Sequence, residues 1–193
     1  LLDCYINYSG AATTGLKDDV RLIESPGETE ALAYAAIPAD TTYLVPAFSG
    51  LGAPYWNSQA KALLCGMTRT TGRNEIVRAA LNSIAFQITD IIKAMEKSTG
   101  APVKELRVDG GPTRNRYLMQ FQSDILETPV LIPDAEELSG IGAAYASGVS
   151  HGFWNAAVLN RLRRQCFTPA MDAERQKKLY QGWMEALRMV CGK

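Results

Sequence analysis

The apolar positions of the chain follow two periods, and where one gives way to the other marks its elements. Cys4 to Tyr8 alternates in the manner of a strand and ends at Ser9-Gly10. A helix is expected from about Ala11 to Leu22, and a second from Glu28 to Ile37. The second has Ser25-Pro26-Gly27 as its start signal and Pro38 just past its end. Tyr43 to Val45 reads as a short extended piece before Pro46. Gly50, Gly52 and Pro54 make the stretch to Ser58 a shaped loop, and Leu63 to Met67 fits a strand or hairpin arm.

The clearest pattern comes next. Val77, Leu81, Ile84, Ile88, Ile91 and Met95 recur at spacings of three and four, predicting a helix over Asn74 to Ser98 that Gly100 stops. Leu106 and Val108 then form a strand that runs into Gly110-Gly111. Tyr117, Leu118, Phe121 and Ile125 return to helical spacing, with Thr113 as a candidate N-cap. Thr128 to Ile132 is a further strand. Glu136 to Val149 is a helix of small residues (Gly140, Gly142, Ala143, Ala144, Ala146, Gly148) suited to close packing, its dipole favoured by Glu136 and Glu137 at its start. A last helix begins near Asp172 and aligns Leu179, Trp183, Leu187 and Val190. Strands alternating with helices specify an α/β domain.

Composition narrows the function. A chain of 193 residues suits one domain with a real core. Its 20 basic and 20 acidic residues cancel, so no field favours nucleic acid or an anionic membrane, and neither partner is expected. The basic run Arg161-Leu-Arg-Arg164 reads as a solvated face. No window approaches the roughly 18 uninterrupted apolar residues of a membrane helix. Cys4, Cys65, Cys166 and Cys191 lack CxxC spacing and no cluster has metal-ligand spacing, so a reduced, cytoplasmic protein without a metal site is expected. The chain starts at Leu1 and enters a strand-type segment at once, as expected of the middle of a domain.

Val108-Asp-Gly-Gly-Pro-Thr-Arg-Asn115 carries the candidate chemistry. Glycines at a strand end let backbone approach a ligand, and the following helix aims its N-terminal N–H groups at an anion. Alone, this pattern is more often a plain αL turn. Asp109 is expected to orient the turn, and His151, the only histidine, to be a surface or packed residue.

The rest of the chain gives that turn a context. Val45 to Trp56 (VPAFSGLGAPYW), Ala62 to Asn82 (ALLCGMTRTTGRNEIVRAALN), the Gly-Gly turn and the run Met119-Gln-Phe-Gln-Ser-Asp-Ile125 occur in this order. Together they resemble the C-terminal half of the FGGY carbohydrate kinases, over roughly Tyr5 to Trp154. The Gly50 to Trp56 stretch is similar to that of the family's glycerol-phosphorylating branch. The resemblance implies an actin-like, ribonuclease-H-like ATPase domain, the second of two that clasp ATP. Its core would be residues 5–154 with a helical extension over 155–193, incomplete at the N-terminus and without the N-terminal kinase domain.

The resemblance also implies nucleotide contacts at Gly10, Thr14, Gly110, Gly111 and Asn115. Gly10 and Gly111 would admit phosphate and ribose, and the Asn115 amide would pair with a purine edge. The cofactor would be ATP or ADP with Mg²⁺ carried by the nucleotide. The complete protein would transfer the γ-phosphoryl of MgATP to a polyol or sugar hydroxyl, glycerol above all, and a homo-oligomer is expected. The family's general base is an Asp of the N-terminal domain, so no catalytic residue is expected in this chain, which alone would be inactive. The chain departs from the family at Thr14 (often Gln), Gly15 (usually Trp), Asn57 (commonly Asp), Asn82 (an acid or Gln) and Arg116 (a small polar residue). Two alternatives stay open: a non-catalytic half-kinase or interaction module, and a xylulose-type or other sugar kinase of the same family.

Overall fold

A computed structural model describes residues 9–18, 20–134, 138–155, 157, 158 and 163–192. The expected strand over Cys4 to Tyr8, and Glu136 and Glu137, lie outside these residues. In chain order come α1 (Ser9–Asp18), a 3₁₀ turn (Pro26–Glu28), α2 (Thr29–Ala35), β1 (Tyr43–Val45), β2 (Leu63–Cys65), α3 (Arg73–Thr99) and β3 (Leu106–Arg107). A second 3₁₀ turn (Gly111–Arg114) leads to α4 (Arg116–Leu126), β4 (Val130–Pro133), α5 (Leu138–Ser150), β5 (Arg164–Phe167) and α6 (Ala173–Cys191). β1 and β2 pair antiparallel, with Leu44 opposite Leu64. In the second sheet, ordered β3-β4-β5, β3 runs parallel to β4 and β5 antiparallel to it.

α3 is the spine. It packs against α1, α2, α4 and β1, and its predicted stripe is the buried face, with Val77 and Leu81 almost completely covered. Glu75 caps its start by accepting from the Gly72 N–H at 2.8 Å. Gly100, left-handed at φ 68°, ends it. One core cluster joins α3 to β1, α4, β4, β5 and α6; a smaller one sets Leu16 and Ile23 against Val77 and Ala80.

The centre of the main cluster is polar. Asp90, on α3 and 5% exposed, accepts from the Tyr55 hydroxyl at 2.8 Å, the Tyr180 hydroxyl at 2.6 Å and the Trp183 indole at 2.7 Å. Three donors from the glycine-rich loop and from α6 therefore meet one carboxylate of α3. Burial raises the Asp90 pKa, and the donors from Tyr180, Trp183 and Tyr55, with nearby Lys93, oppose that rise. α6 is also drawn in by Gly182, where a Cβ would stand 2.3 Å from the Tyr43 hydroxyl oxygen.

Several boundaries differ from expectation. α1 ends at Asp18 rather than Leu22: the Leu22 N–H turns back to the Leu16 carbonyl, and Arg21 adopts φ 55°. α2 stops at Ala35 rather than Ile37 because the Ile37 N–H donates sideways to Glu75 at 2.9 Å. Arg163 and Arg164 of the basic run are exposed, as expected of a solvated face, but Arg164 opens β5, an unexpected edge strand with only Phe167 buried. The expected helical extension thus also contains a strand, and through Phe167, Trp183, Ala186 and Leu187 it fills the main core. The small residues of α5 pack closely only at Gly148, against Trp154; Gly140, Gly142, Ala143, Ala144 and Ala146 are exposed.

Two predictions follow from these contacts. Asp90→Ala strands the buried Trp183 donor and the half-buried Tyr55 and Tyr180 donors and should cost about 3 kcal/mol in urea unfolding, against about 1 kcal/mol for Tyr55→Phe. Backbone N–H groups, chiefly that of Ile37, hold the Glu75 pKa below its ordinary 4.5. The stabilisation from Glu75 is therefore complete above pH 4.5 and is lost as pH falls below it. Glu75→Gln should flatten that part of the acid unfolding profile.

Candidate functional site

A cleft of about 890 Å³ opens where α1, α2 and the Gly-Gly turn converge. Thr14 comes from α1, Pro26 and Gly27 from the first 3₁₀ turn, and Glu30, Ala31 and Tyr34 from α2. Leu81 of α3 and Leu118 of α4 give it an apolar floor, and Gly111, Pro112, Arg114 and Asn115 form the opposite wall. Thr14, Gly111 and Asn115, distant in sequence, are brought together here. Gly10 is the second residue of α1, the helix that supplies Thr14. Gly110 stands one residue behind the wall with φ 98°, a conformation that favours glycine, and sets the turn. At Gly111 a Cβ would meet nothing within 4 Å, so protein packing gives no reason for a glycine there.

Asn115, rather than Thr113, is the N-cap of α4. Its Oδ1 accepts from the Leu118 N–H at 2.9 Å, and its Nδ2 donates to the Thr29 hydroxyl at 3.0 Å. Both ends of the amide are thereby engaged. Thr113 instead closes the turn by donating from its hydroxyl to the Gly110 carbonyl at 2.7 Å, the role expected of Asp109, which is exposed. Glu30 of α2 accepts from the Arg116 N–H at 2.5 Å. The α4 N-terminus is thus occupied by a carboxylate and an amide of the chain itself, which corrects the expectation that it presents free N–H groups to an anion. With Leu81, Leu118, Pro26, Pro112 and Ala31 around it, the cleft suits a nucleoside better than a bare phosphate.

The departures have local partners. Asn82 accepts the Tyr117 hydroxyl at 2.9 Å, and burial pushes the Tyr117 pKa up to about 12. Asn57 Oδ1 accepts from the Gln59 N–H at 3.0 Å, and the Arg116 guanidinium lies 5.9 Å from the Phe167 ring centre. His151 is exposed, bonded to the Ser147 carbonyl at 2.9 Å and stacked near Phe153. Among the described residues no three His, Cys, Asp or Glu side chains are grouped to hold a metal ion, and no helix is long and apolar enough to cross a membrane. Sequence reading missed the α2 wall. Tyr34, a lone aromatic beside the buried Ala33, was its one available signal.

Comparison with known proteins agrees with this geometry. The family model described as "FGGY family of carbohydrate kinases, C-terminal domain" matches residues 5–151. A glycerol kinase of Symbiobacterium thermophilum is 43% identical over 198 residues, covering 99% of this chain and 39% of that relative. A glycerol kinase of Treponema denticola is 47% identical over 184 residues, covering 93% of this chain and 37% of the relative. The crystal structure of Plasmodium falciparum glycerol kinase with ADP superposes with a TM-score of 0.86 at 34% identity, over 94% of this chain and 37% of that one. The chain therefore spans less than two fifths of the length of these relatives.

Asn115→Ala removes both the helix cap and the link to Thr29, and should cost about 1–2 kcal/mol in urea unfolding. Asn115→Asp keeps an oxygen for Leu118 and should recover part of that loss.

Proposed function

The chain belongs to the FGGY family of carbohydrate kinases, and we propose that it forms the nucleotide-side half of an ATP-dependent glycerol kinase. The observation that carries this reading is the convergence of Thr14, Gly111 and Asn115 on one apolar-floored cleft. In the proposed complex the adenosine of MgATP lies over Leu81 and Leu118. The Gly111 backbone admits the ribose and first phosphates where a side chain would stand in the way. Thr14, on the α1 side, and Gly10, in the first turn of that helix, flank the path toward the γ-phosphate. Asn115 fixes the wall through Leu118 and Thr29 and offers its remaining N–H and Oδ1 lone pair to the purine edge.

In this reading Mg²⁺ arrives with the nucleotide, bound to its phosphates and to water. The proton of the attacking hydroxyl is removed by a base of the companion N-terminal domain. The contribution of this chain is position: it holds one reactant so that transfer becomes effectively intramolecular when the two domains close. A cytoplasmic location and self-association belong to the same proposal. Glycerol is favoured over xylulose as acceptor by the similarity to glycerol kinases across nearly the whole chain.

Calorimetric titration of MgADP into the chain should give saturable binding. Gly111→Ala, which meets no protein atom, should weaken it about tenfold while leaving thermal unfolding unchanged. Unaltered affinity in that variant would remove Gly111 from the site. In the two-domain protein, ADP release should depend on glycerol, and release that depends only on a ketose would overturn the choice of acceptor.

A further inference from the structure

Tyr34 is an aromatic residue left uncovered beside buried neighbours. It sits on α2 with 61% of its surface exposed, whereas Ala33 and Ala36 on the same segment are buried to 2% and 4% exposure. Exposing so much of an aromatic ring forgoes the gain from burying it, unless something else covers it. The other strongly exposed aromatics, Phe48, Trp56, Phe153 and Trp154, lie away from the nucleotide cleft. Tyr34 lines it, and is the only aromatic among its described lining residues.

The ring is also held in place. Its centre is 5.3 Å from that of Tyr117, the two planes at 90°, a favourable edge-to-face pair. Tyr117 is anchored twice, by its hydroxyl on Asn82 at 2.9 Å and by stacking on Phe121 at 6.0 Å. Phe121 meets Phe86 edge-on at 5.5 Å, and Phe86 stacks on Trp183 at 5.1 Å. A row of aromatic contacts thus runs from the main core to the rim of the cleft and ends in the mostly exposed ring of Tyr34.

Edge recognition of a base by Asn115 is constrained by the chain. Its amide donates one N–H to Thr29 and accepts from Leu118, which fixes its plane and leaves one N–H and one Oδ1 lone pair for a ligand. What the cleft also offers a planar heterocycle is surface: Leu81 and Leu118 below, and the Tyr34 ring at the side. We infer that Tyr34 is the base-stacking residue of the nucleotide cleft, with Tyr117 and Asn82 as the positioning residues that hold its ring. This assignment rests on the nucleotide reading proposed above and names the part of the ligand that Tyr34 touches.

Stacking of a base on an aromatic side chain is lost on truncation to alanine and kept by any flat ring. The test is calorimetric titration of MgADP and of adenosine into the chain and into its Tyr34→Ala and Tyr34→Phe variants. Tyr34→Ala should weaken both ligands by the same factor, about 5- to 100-fold, and Tyr34→Phe should bind like the unaltered chain. An equal loss for adenosine places the contact at the base or ribose, because adenosine carries no phosphate. Tyr34→Phe should unfold like the unaltered chain, and Tyr34→Ala, which gives up the edge contact with Tyr117, should lower the unfolding midpoint only slightly while remaining folded at the titration temperature. Binding in the unaltered chain with no loss in Tyr34→Ala overturns the assignment and leaves the nucleotide reading standing. A loss of equal size in Tyr34→Phe also overturns it, because the hydroxyl and not the ring would then be responsible. Absence of MgADP binding in the unaltered chain overturns both.

Discussion

The carboxylate of Asp90 is the contact on which the rest of the molecule depends. An isolated charge in a core is expensive, and it is retained only where hydrogen bonds replace the lost water. Three donors do so: Tyr55 from the glycine-rich loop, and Tyr180 and Trp183 from α6. They cannot reach Asp90 unless the loop and the last helix are both docked on α3. One buried charge therefore selects the arrangement of segments separated by more than a hundred residues of sequence. The same helix carries Leu81 into the floor of the cleft and Asn82 to the Tyr117 hydroxyl, so a fixed α3 also means a fixed site.

The cleft follows the same logic on a smaller scale. α2 and α4 are clamped together by two polar contacts, Asn115 to Thr29 and the Arg116 N–H to Glu30. Glu30 on the Arg116 N–H and Asn115 Oδ1 on the Leu118 N–H occupy the N-terminus of α4 from within the chain, so what remains open is an apolar hollow rather than an anion hole. Gly111 keeps one side of that hollow free of a side chain. A nucleoside matches such a shape, as the proposed nucleotide-side role of the chain requires.

The sequence made some elements plain and left others hidden, for physical reasons. The six-residue apolar stripe of α3 and the stop at Gly100 were legible because burial on one face writes a regular period. The Gly-Gly turn was legible because few residue types tolerate φ 98°. β5 was not, since an edge strand that buries only Phe167 carries Arg164, Gln165 and Cys166 without alternation. The early end of α2 was hidden because it depends on Glu75, a residue 38 positions from Ile37. Asn115 stands out as a site residue only through the family resemblance, and its bond to Thr29 lies across the fold, 86 positions away. Tyr34 and Glu30 were passed over because a helix pattern says which face is buried and nothing about what an exposed face confronts.

The central claim is that one cleft, walled by α2 and the Gly-Gly turn, receives the nucleotide. A ¹H–¹⁵N correlation titration of the chain with MgADP tests this most directly, since it reports contacts residue by residue without requiring catalysis. The account predicts the largest shifts at the amides of Gly111, Arg114, Asn115 and Ala31 to Tyr34, with those of α6 unmoved. Shifts centred instead on Arg78, Asp172 and Arg175, which line a neighbouring cleft of about 500 Å³ that shares only Tyr34 with the first, would place the nucleotide elsewhere and contradict it.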